Sequence, residues 1–194
     1  EGPLLGAWAR RLEPAPGEGG DRVVRPLLLL VPRHPQRFDA VTAMAERAGL
    51  SVVRRSALGE AMPDRSAVRA DVWIGDSLGE MAAYYAMADC ALLGGSFAPL
   101  GGQNLIEAAA CGCPVVMGPH TFNFDEAARG AEAVGAAVRV PTLEAAVGTA
   151  WTWLQAALPG TASVRPKADA HRARAFAGQH RGAAARMAAA IDPL

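Results

Sequence analysis

Residues 94–120 read G-G-S-F-A-P-L-G-G-Q-N-L-I-E-A-A-A-C-G-C-P-V-V-M-G-P-H, which predicts a loop, a short helix, a short strand and a second loop. Glycines bracket the first loop at positions 94, 95, 101 and 102, so its backbone is free to adopt positive φ and to approach a ligand closely. Gly112 is placed to end the helix, and an apolar strand follows. Two glycine-lined loops at strand ends, one leading into a helix, are typical of α/β domains that bind a phosphate group.

Polar residues around these loops are candidates for holding a nucleotide. Asn104 and Glu107 have the spacing of a capping box, and the helix that follows Gly102 would direct its unpaired N–H groups and its positive dipole end at an anion. Glu107 is equally well spaced to accept hydrogen bonds from both hydroxyls of a ribose. Ser96 could donate a further hydrogen bond, and the second glycine loop would form the wall near the base or the sugar.

Strand-like apolar runs alternate with segments of helical periodicity along the whole chain. This alternation predicts one α/β domain over residues 1–194 with a Rossmann-like, doubly wound parallel sheet. The predicted strands are 27–31, 51–55, 71–74, 89–93, 114–117 and 136–140, and the main predicted helices are 3–13, 79–88, 142–158 and 167–190. Because both faces of residues 27–31 are apolar, we expect this strand to be fully buried in the centre of the sheet.

Arg33 and His34 follow that first strand. Open α/β sheets bind their ligands at the carboxyl ends of central strands, so Arg33 is a candidate clamp for a phosphate or carboxylate. The alternative is a surface arginine beside a turn. His34 fits a ligand contact and a turn histidine bonded to the backbone equally well. Lys167 is the only lysine, so arginine must supply any cationic clamp.

Composition restricts the classes of function. The 194 residues are 51% apolar and 20% charged, as in ordinary soluble globular proteins. Nineteen basic residues balance nineteen acidic ones, which leaves no electrostatic footprint for nucleic acid. Three cysteines argue against a disulfide framework. The chain has no signal peptide and does not begin with Met, so we expect it to be a piece of a longer protein.

Several common motifs are missing from the sequence. There is no G-x-x-x-x-G-K-[ST], no G-x-G-x-x-G after the first strand and no G-x-S-x-G, which argues against P-loop nucleotidases, dinucleotide-dependent oxidoreductases and serine hydrolases. The C-G-C at residues 111–113 lacks the spacing of a zinc site. No D-x-D is present either, so we expect no metal and no cofactor.

Five short segments carry a family resemblance. G-G-S at 94–96, G-G-Q-N-L-I-E at 101–107 and V-M-G-P-H-T-F-N-F at 116–124 resemble the donor-binding half of the Kdo (3-deoxy-D-manno-octulosonic acid) transferases. L-L-L-L-V-P-R-H-P-Q-R-F at 27–38 and G-D-S-L-G-E-M at 75–81 are similar to the same family. The resemblance extends over about residues 1–157. The chain has Gln103 where family members commonly have His.

The resemblance implies the C-terminal half of a GT-B glycosyltransferase. Such an enzyme transfers Kdo from CMP-Kdo to a lipid A precursor in lipopolysaccharide biosynthesis, with inversion and without a metal. The acceptor domain and the catalytic base would lie in an N-terminal part absent from this chain, so we expect a soluble fragment that binds CMP-Kdo or CMP without turnover. The full-length enzyme would act at the cytoplasmic face of the bacterial inner membrane, and only it would contact the membrane surface.

The resemblance also implies a set of donor-binding residues, with Arg33 at the phosphate and Glu107 at the ribose. The expected set is Arg33, Gly95, Ser96, Gly102, Asn104, Glu107, Gly118 and Pro119, with His34, Gln103, Met117 and Phe124 as further candidates. Two alternatives stay open. One is another GT-B enzyme that uses a UDP-sugar, such as an N-acetylglucosaminyltransferase or a sugar-nucleotide 2-epimerase. The other is a non-catalytic nucleotide-binding module of the same fold.

Overall fold

The structure, a computed structural model, describes residues 1–13, 25–58, 69–156 and 167–180. Its contacts divide the chain into two units, Glu1–Met81 and Ala82–Leu194, and each is described by itself. Both units have parallel strands connected through helices, so the α/β class with parallel strands is confirmed. The single domain predicted from the sequence stays a prediction.

In its described residues, the first unit contains a three-stranded parallel sheet and two α-helices. Its elements are α1 (Gly2–Leu12), β1 (Leu28–Leu30), a 3-10 turn (Pro35–Arg37), α2 (Phe38–Arg47), β2 (Val52–Arg54), a second 3-10 turn (Arg55–Ala57) and β3 (Val72–Ile74). The strand β3 lies in the middle, with β1 and β2 on either side. Val72 and Ile74 are fully buried, as are Val41 and Ala45 on the face of α2 that contacts β2 and β3.

Helix α1 forms where apolar residues recur at helical spacing, as the sequence predicted. Leu5 and Trp8 are buried, and Pro3 lies in the first turn, where its missing N–H costs nothing. Arg10 and Arg11 lie in the last turn, where they complement the negative end of the helix dipole. The indole Nε1 of Trp8 donates a hydrogen bond to the carbonyl oxygen ahead of β3, at residue 71, over 3.3 Å.

The prediction of a fully buried central first strand was wrong for the sheet of this unit. Every residue of β1 is half-buried, and Leu27 just before it is 40% exposed. The reason is its position: among the described strands β1 pairs with β3 alone and lies at an edge of the three-stranded sheet, whereas the buried centre is β3. A run of leucines predicts an apolar strand, but it does not distinguish an edge from a centre.

A buried carboxylate connects the carboxyl ends of β2 and β3. Asp76 has a side chain only 1% exposed, and it accepts hydrogen bonds from Arg54 Nε (2.7 Å), from the backbone N–H of Ser56 (2.8 Å) and from the Ser56 hydroxyl. Burial alone would raise the pKa of the Asp76 carboxyl, but the hydrogen bonds from Ser56 and Arg54 outweigh it and hold the pKa below the ordinary value of 3.8.

Replacing Asp76 with Asn is expected to lower the free energy of unfolding by about 2 kcal/mol at pH 7, since it removes the buried partner of the half-buried Arg54 guanidinium and leaves only an exposed one. The pKa is lower in the folded than in the unfolded chain, so the carboxylate contributes stability above its ordinary pKa and loses it as pH falls through the folded value. Urea denaturation should therefore show the difference between variant and parent shrinking below about pH 4.

Asp39→Asn is the matched control for Asp76→Asn. Asp39 pairs with the same Arg54 (Nη1–Oδ1, 2.6 Å), but its side chain is 90% exposed. Water screens that ion pair, so the control should change stability by less than about 0.5 kcal/mol. Equal losses in both variants, or a loss in Asp76→Asn that is the same at pH 7 and pH 3, would contradict the role assigned to the buried carboxylate.

The second unit contains another three-stranded parallel sheet. Its elements are α3 (Met81–Met87), which begins at the boundary residue, β4 (Ala91–Leu92), α4 (Ile106–Ala110), β5 (Val115–Met117), a 3-10 turn (Phe122–Phe124), α5 (Asp125–Ala133), β6 (Ala137–Arg139), α6 (Leu143–Ala156) and α7 (Lys167–His180). Strand β5 is central, between β4 and β6, and all three of its side chains are fully buried.

Small side chains bring the helices of this unit close together. Ala108 and Ala109 of α4 and Ala128 and Ala131 of α5 are almost completely buried in the core, and Phe176 of α7 packs against the same cluster. The sequence predicts an apolar stripe of Phe176, Met187 and Ile191 on the last helix, and this is confirmed at Phe176. Its other members, Met187 and Ile191, lie outside the described residues, as do the predicted loop of residues 14–20 and the helix end at residues 159–160.

Candidate functional site

The candidate site of the second unit lies at the carboxyl ends of β4 and β5. These strands are parallel neighbours, with Ala91 opposite Val115 and Leu92 opposite Val116. The loop of residues 93–105 follows β4, and the loop of residues 118–121 follows β5. The fold therefore brings the two glycine loops predicted from the sequence to the same edge of the sheet, the edge where α/β domains bind their ligands.

The first loop is closed on itself by backbone hydrogen bonds. The N–H of Gly102 donates to the Gly95 carbonyl (3.1 Å), and the N–H of Gln103 donates to the Gly94 carbonyl (3.0 Å). Gly95, Gly101 and Gly102 have φ values of 72°, 85° and 77°, a region that other residues rarely adopt. The predicted positive φ is thus confirmed at three of the four glycines that bracket the loop.

Ser96 connects the two loops from inside the protein. Its hydroxyl donates to the Leu93 carbonyl (2.6 Å) and accepts the N–H of Gly118 (2.9 Å), while its carbonyl accepts the N–H of His120 (3.0 Å). The side chain is fully buried. These bonds give the Ser96 side chain a role in holding the two loops together, and its contact with the donor stays a prediction.

Asn104 and Glu107 lie together at the start of α4, in a different arrangement from the predicted capping box. The carboxamide oxygen of Asn104 accepts the N–H of Ile106 (3.0 Å), and its amide lies 3.4 Å from Glu107 Oε1. The helix begins at Ile106, four residues after Gly102, and is five residues long. Glu107 is exposed, and among the described residues its carboxylate accepts only this long hydrogen bond, so it can accept others.

The charge of Glu107 also acts on a neighbouring phenol. Burial raises the pKa of Tyr85 to about 12, and the negative charge of Glu107 adds to this effect. The helical spacing of Tyr85 in the sequence favours packing over stacking on a base, and Tyr85 packs against the core cluster of the second unit. The Tyr85 phenol is therefore neutral at physiological pH.

The loop after β5 rests on two residues that sequence reasoning missed. Arg139, at the end of β6, donates from Nη1 to the Gly118 carbonyl (3.0 Å) and to the hydroxyl of Thr121 (3.0 Å). Its Nε and Nη2 both donate to Glu132 Oε2, at 3.1 and 2.9 Å. The sequence feature that could have pointed to Arg139 is its charge within the otherwise apolar strand A-A-V-R-V. This strand pairs with β5, which leads into Gly118.

The remaining candidates of this unit differ in exposure. Met117 is fully buried in β5, and Phe124 is half-buried and packs against the core, so neither presents its side chain freely. Gln103 is half-buried and lies against Gly94 and Gly95. Pro119 is exposed at the tip of the second loop. Asn123 and Glu126 have the spacing of a capping box, but the side-chain amide of Asn123 donates to the Leu100 carbonyl (3.1 Å).

In the first unit, Arg33 and His34 follow β1, and both side chains are exposed. Within the described parts of the chain no group pairs with the Arg33 guanidinium, which leaves it available to an anion. The carbonyl of His34 accepts the N–H of Arg37 (2.9 Å), so this residue begins the 3-10 turn ahead of α2.

Cysteine and other metal-binding side chains do not form a metal centre in the described residues. No group of three or more His, Cys, Asp or Glu there could hold a metal ion. Cys113 is buried, as expected, and burial raises its pKa to about 12, whereas Cys111 is half-buried. A search of the same residues finds no helix with the length and apolar character needed to cross a membrane.

Known proteins resemble this chain in sequence. No protein-family model matches it. It is 52% identical over 169 residues to the 3-deoxy-D-manno-octulosonic acid transferase of Bordetella pertussis, an alignment that covers 87% of the chain and 37% of the relative. Identity to the enzyme of that name from Haemophilus influenzae is 42% over 100 residues (52% and 22%), and to a probable mitochondrial one from Arabidopsis thaliana 37% over 99 residues (50% and 21%).

A solved structure agrees with these sequence matches. The crystal structure of the C-terminal CMP-Kdo binding domain of WaaA from Acinetobacter baumannii matches with a TM-score of 0.68 and 28% identity, over 91% of this chain and 80% of that one. The chain spans little more than a third of the Bordetella relative's length. The resemblance inferred from the five motifs is confirmed, and the chain is homologous over most of its length to the Kdo transferases.

Proposed function

We propose that this chain is the donor-binding domain of a Kdo transferase, an inverting glycosyltransferase that moves Kdo from CMP-Kdo to a lipid A precursor in lipopolysaccharide biosynthesis. The observation that supports this most strongly is the match to a CMP-Kdo binding domain over 91% of the chain. The two glycine loops are joined by hydrogen bonds, and the exposed carboxylate of Glu107 lies at the end of the first loop. Such a surface suits a nucleotide.

Each part of the donor has a proposed partner in this chain. Glu107 accepts hydrogen bonds from the ribose hydroxyls, and the backbone of the Gly95 and Gly102 turns lies against the phosphate. Gly118 and Pro119 form the wall near the base or the sugar. Arg33 pairs with the phosphate, where a fixed positive charge stabilises CMP as a leaving group without a metal ion or another cofactor.

Deprotonation of the acceptor hydroxyl is proposed to require the N-terminal domain of the full-length enzyme. An acceptor hydroxyl must lose its proton as it attacks the anomeric carbon, and we assign that general base to the N-terminal domain of the full-length protein. The full-length enzyme is proposed to work at the cytoplasmic face of the bacterial inner membrane. The isolated chain should bind CMP and show no Kdo transfer. Detectable transfer by the isolated chain would contradict this division of roles.

Calorimetric titration of the chain with CMP, UMP and AMP tests the proposed function. We expect CMP to bind at least about tenfold more tightly than the other two, a difference of about 1.4 kcal/mol. A preference for UMP would favour an enzyme that uses a UDP-sugar. If no nucleotide binds, the proposed function is contradicted for this chain.

Arg33→Ala tests the phosphate contact separately. The variant should lose about tenfold or more in affinity for CMP, because a charge-assisted contact to the phosphate is removed, while affinity for cytidine, which has no phosphate, stays the same. Arg37→Ala is the control, since Arg37 is a nearby arginine whose guanidinium pairs with Glu1 (3.0 Å). Equal losses for CMP and cytidine would show that Arg33 does not act on the phosphate.

A further inference from the structure

Arg139 joins three parts of the second unit through one guanidinium. Its Nε and Nη2 are held by Glu132 of α5, and its Nη1 bonds both the Gly118 carbonyl and the Thr121 hydroxyl. The Arg139 and Glu132 side chains are only 26% and 32% exposed, and Thr121 is 3% exposed. We call these four residues, Glu132, Arg139, Gly118 and Thr121, the Arg139 brace.

Together with Ser96, the Arg139 brace holds the loop after β5 through hydrogen bonds to Gly118. The N–H of Gly118 is held from the first glycine loop by the Ser96 hydroxyl, and the carbonyl of Gly118 is held by Arg139. The peptide groups on both sides of this residue are therefore fixed from different directions. Pro119 and His120, which follow, have their position set by these contacts and by the bond from the His120 N–H to Ser96.

We propose that Arg139 is a positioning residue for the donor nucleotide: it holds the Gly118–Thr121 loop in the conformation that binds CMP. This inference rests on the proposed function. A guanidinium suits the task because its planar fork can bond Glu132 on one side and two loop oxygens on another at the same time. An ammonium group is a single point of donation and cannot span these acceptors, so lysine is not an equivalent replacement.

Amide hydrogen exchange in the absence of ligand tests whether Arg139 positions the loop. In Arg139→Lys the amides of Gly118 and His120 should exchange about tenfold faster, while the Val115 amide of β5, bonded to Ala136, keeps its rate. A purely structural role would accelerate all three amides together. Equal acceleration of the three, or no change, would overturn the proposal.

The affinity for CMP tests whether the loop position matters for binding. Arg139→Lys should raise the Kd for CMP about tenfold at a temperature where the variant is fully folded. Arg129→Lys is the control, because Arg129 forms an exposed ion pair with Asp125 in the same unit and should leave the Kd unchanged. If Arg139→Lys does not fold, Thr121→Val, which removes one of the two loop acceptors and keeps the pair of Arg139 with Glu132, should raise the Kd in the same direction.

The outcomes separate this inference from the proposed function. If the parent chain binds CMP and both Arg139→Lys and Thr121→Val bind it equally well, Arg139 has no positioning role and the proposed function stands. If the parent chain does not bind CMP, the proposed function fails and the nucleotide role of Arg139 fails with it. If Arg139→Lys accelerates amide exchange only in the Gly118–Thr121 loop and also weakens CMP binding, both the positioning role of Arg139 and the proposed function are supported.

Discussion

Gly118→Ala is expected to destabilise the second unit by about 3 kcal/mol, a large fraction of the stability of an ordinary domain. A Cβ at this position would lie 2.3 Å from the carbonyl oxygen of Ser96 and 2.7 Å from Cδ1 of Phe97. The first of these is a backbone atom, and it is bonded to the His120 N–H, so it cannot move without breaking the connection between the two loops. Urea denaturation followed by far-UV circular dichroism measures the loss.

The same substitution should also abolish CMP binding in the protein that remains folded, because relief of the overlap must separate the loops. Gly178→Ala in α7 is the matched control: apart from the backbone of its own helix, no atom of the described residues lies within 4 Å of the added Cβ, and its helical position predicts a gain of about 0.5–1 kcal/mol. A Gly118→Ala variant that is as stable as the parent and binds CMP equally well would show that the contact between Gly118 and Ser96 does not organise the site.

The elements of the fold could be predicted from the sequence wherever a local pattern decides them. The V-V-M run of β5 is apolar on both faces and is fully buried, and Gly112 ends α4 with a φ of 75°. The apolar run before Arg33 also formed a strand, but its burial was overestimated. Local apolarity identifies a strand, whereas its place in a sheet depends on pairings that are distant in the sequence.

In the candidate site, the backbone conformation of the glycines could be predicted from the sequence, whereas the hydrogen-bond partners of the polar side chains could not. A glycine carries its own conformational freedom, so the positive φ of Gly95, Gly101 and Gly102 follows from residue type. A serine hydroxyl or an arginine takes its role from its partners. The Ser96 hydroxyl forms its hydrogen bonds with Leu93 and Gly118. Arg139 donates a hydrogen bond to a loop that lies about twenty residues earlier in the chain. Sequence spacing contains no information about such contacts.

The start of α4 shows the same limit. The spacing of Asn104 and Glu107 predicted a capping box, but the side chains bond each other and the N–H of Ile106, and the helix is short. A capping box would have occupied the Glu107 carboxylate with the backbone N–H of Asn104. The observed 3.4 Å contact occupies it weakly, and a ribose diol could displace that contact at little cost.

Glu107→Gln is therefore expected to weaken CMP binding by about 30-fold, since the exposed carboxylate that we propose accepts two ribose hydroxyls is replaced by a neutral amide with one acceptor oxygen. The ligand 2′-deoxy-CMP makes the test specific for the ribose. The parent chain should bind CMP more tightly than 2′-deoxy-CMP by about tenfold, and Glu107→Gln should lose most of that preference. Calorimetric titration of the parent chain and of Glu107→Gln with CMP and with 2′-deoxy-CMP gives the four affinities that this comparison requires.

Glu126→Gln is the control for Glu107→Gln. Glu126 is also exposed and is also the second residue of its helix, α5, so it matches Glu107 in local structure and in dipole interaction. It should leave both affinities unchanged. If Glu107→Gln lowers the affinities for CMP and 2′-deoxy-CMP by the same factor, the carboxylate acts through general electrostatics or through the fold of the loop. If it changes neither affinity, the ribose is held elsewhere, and the contact of Glu107 with Asn104 is then a feature of the helix start alone.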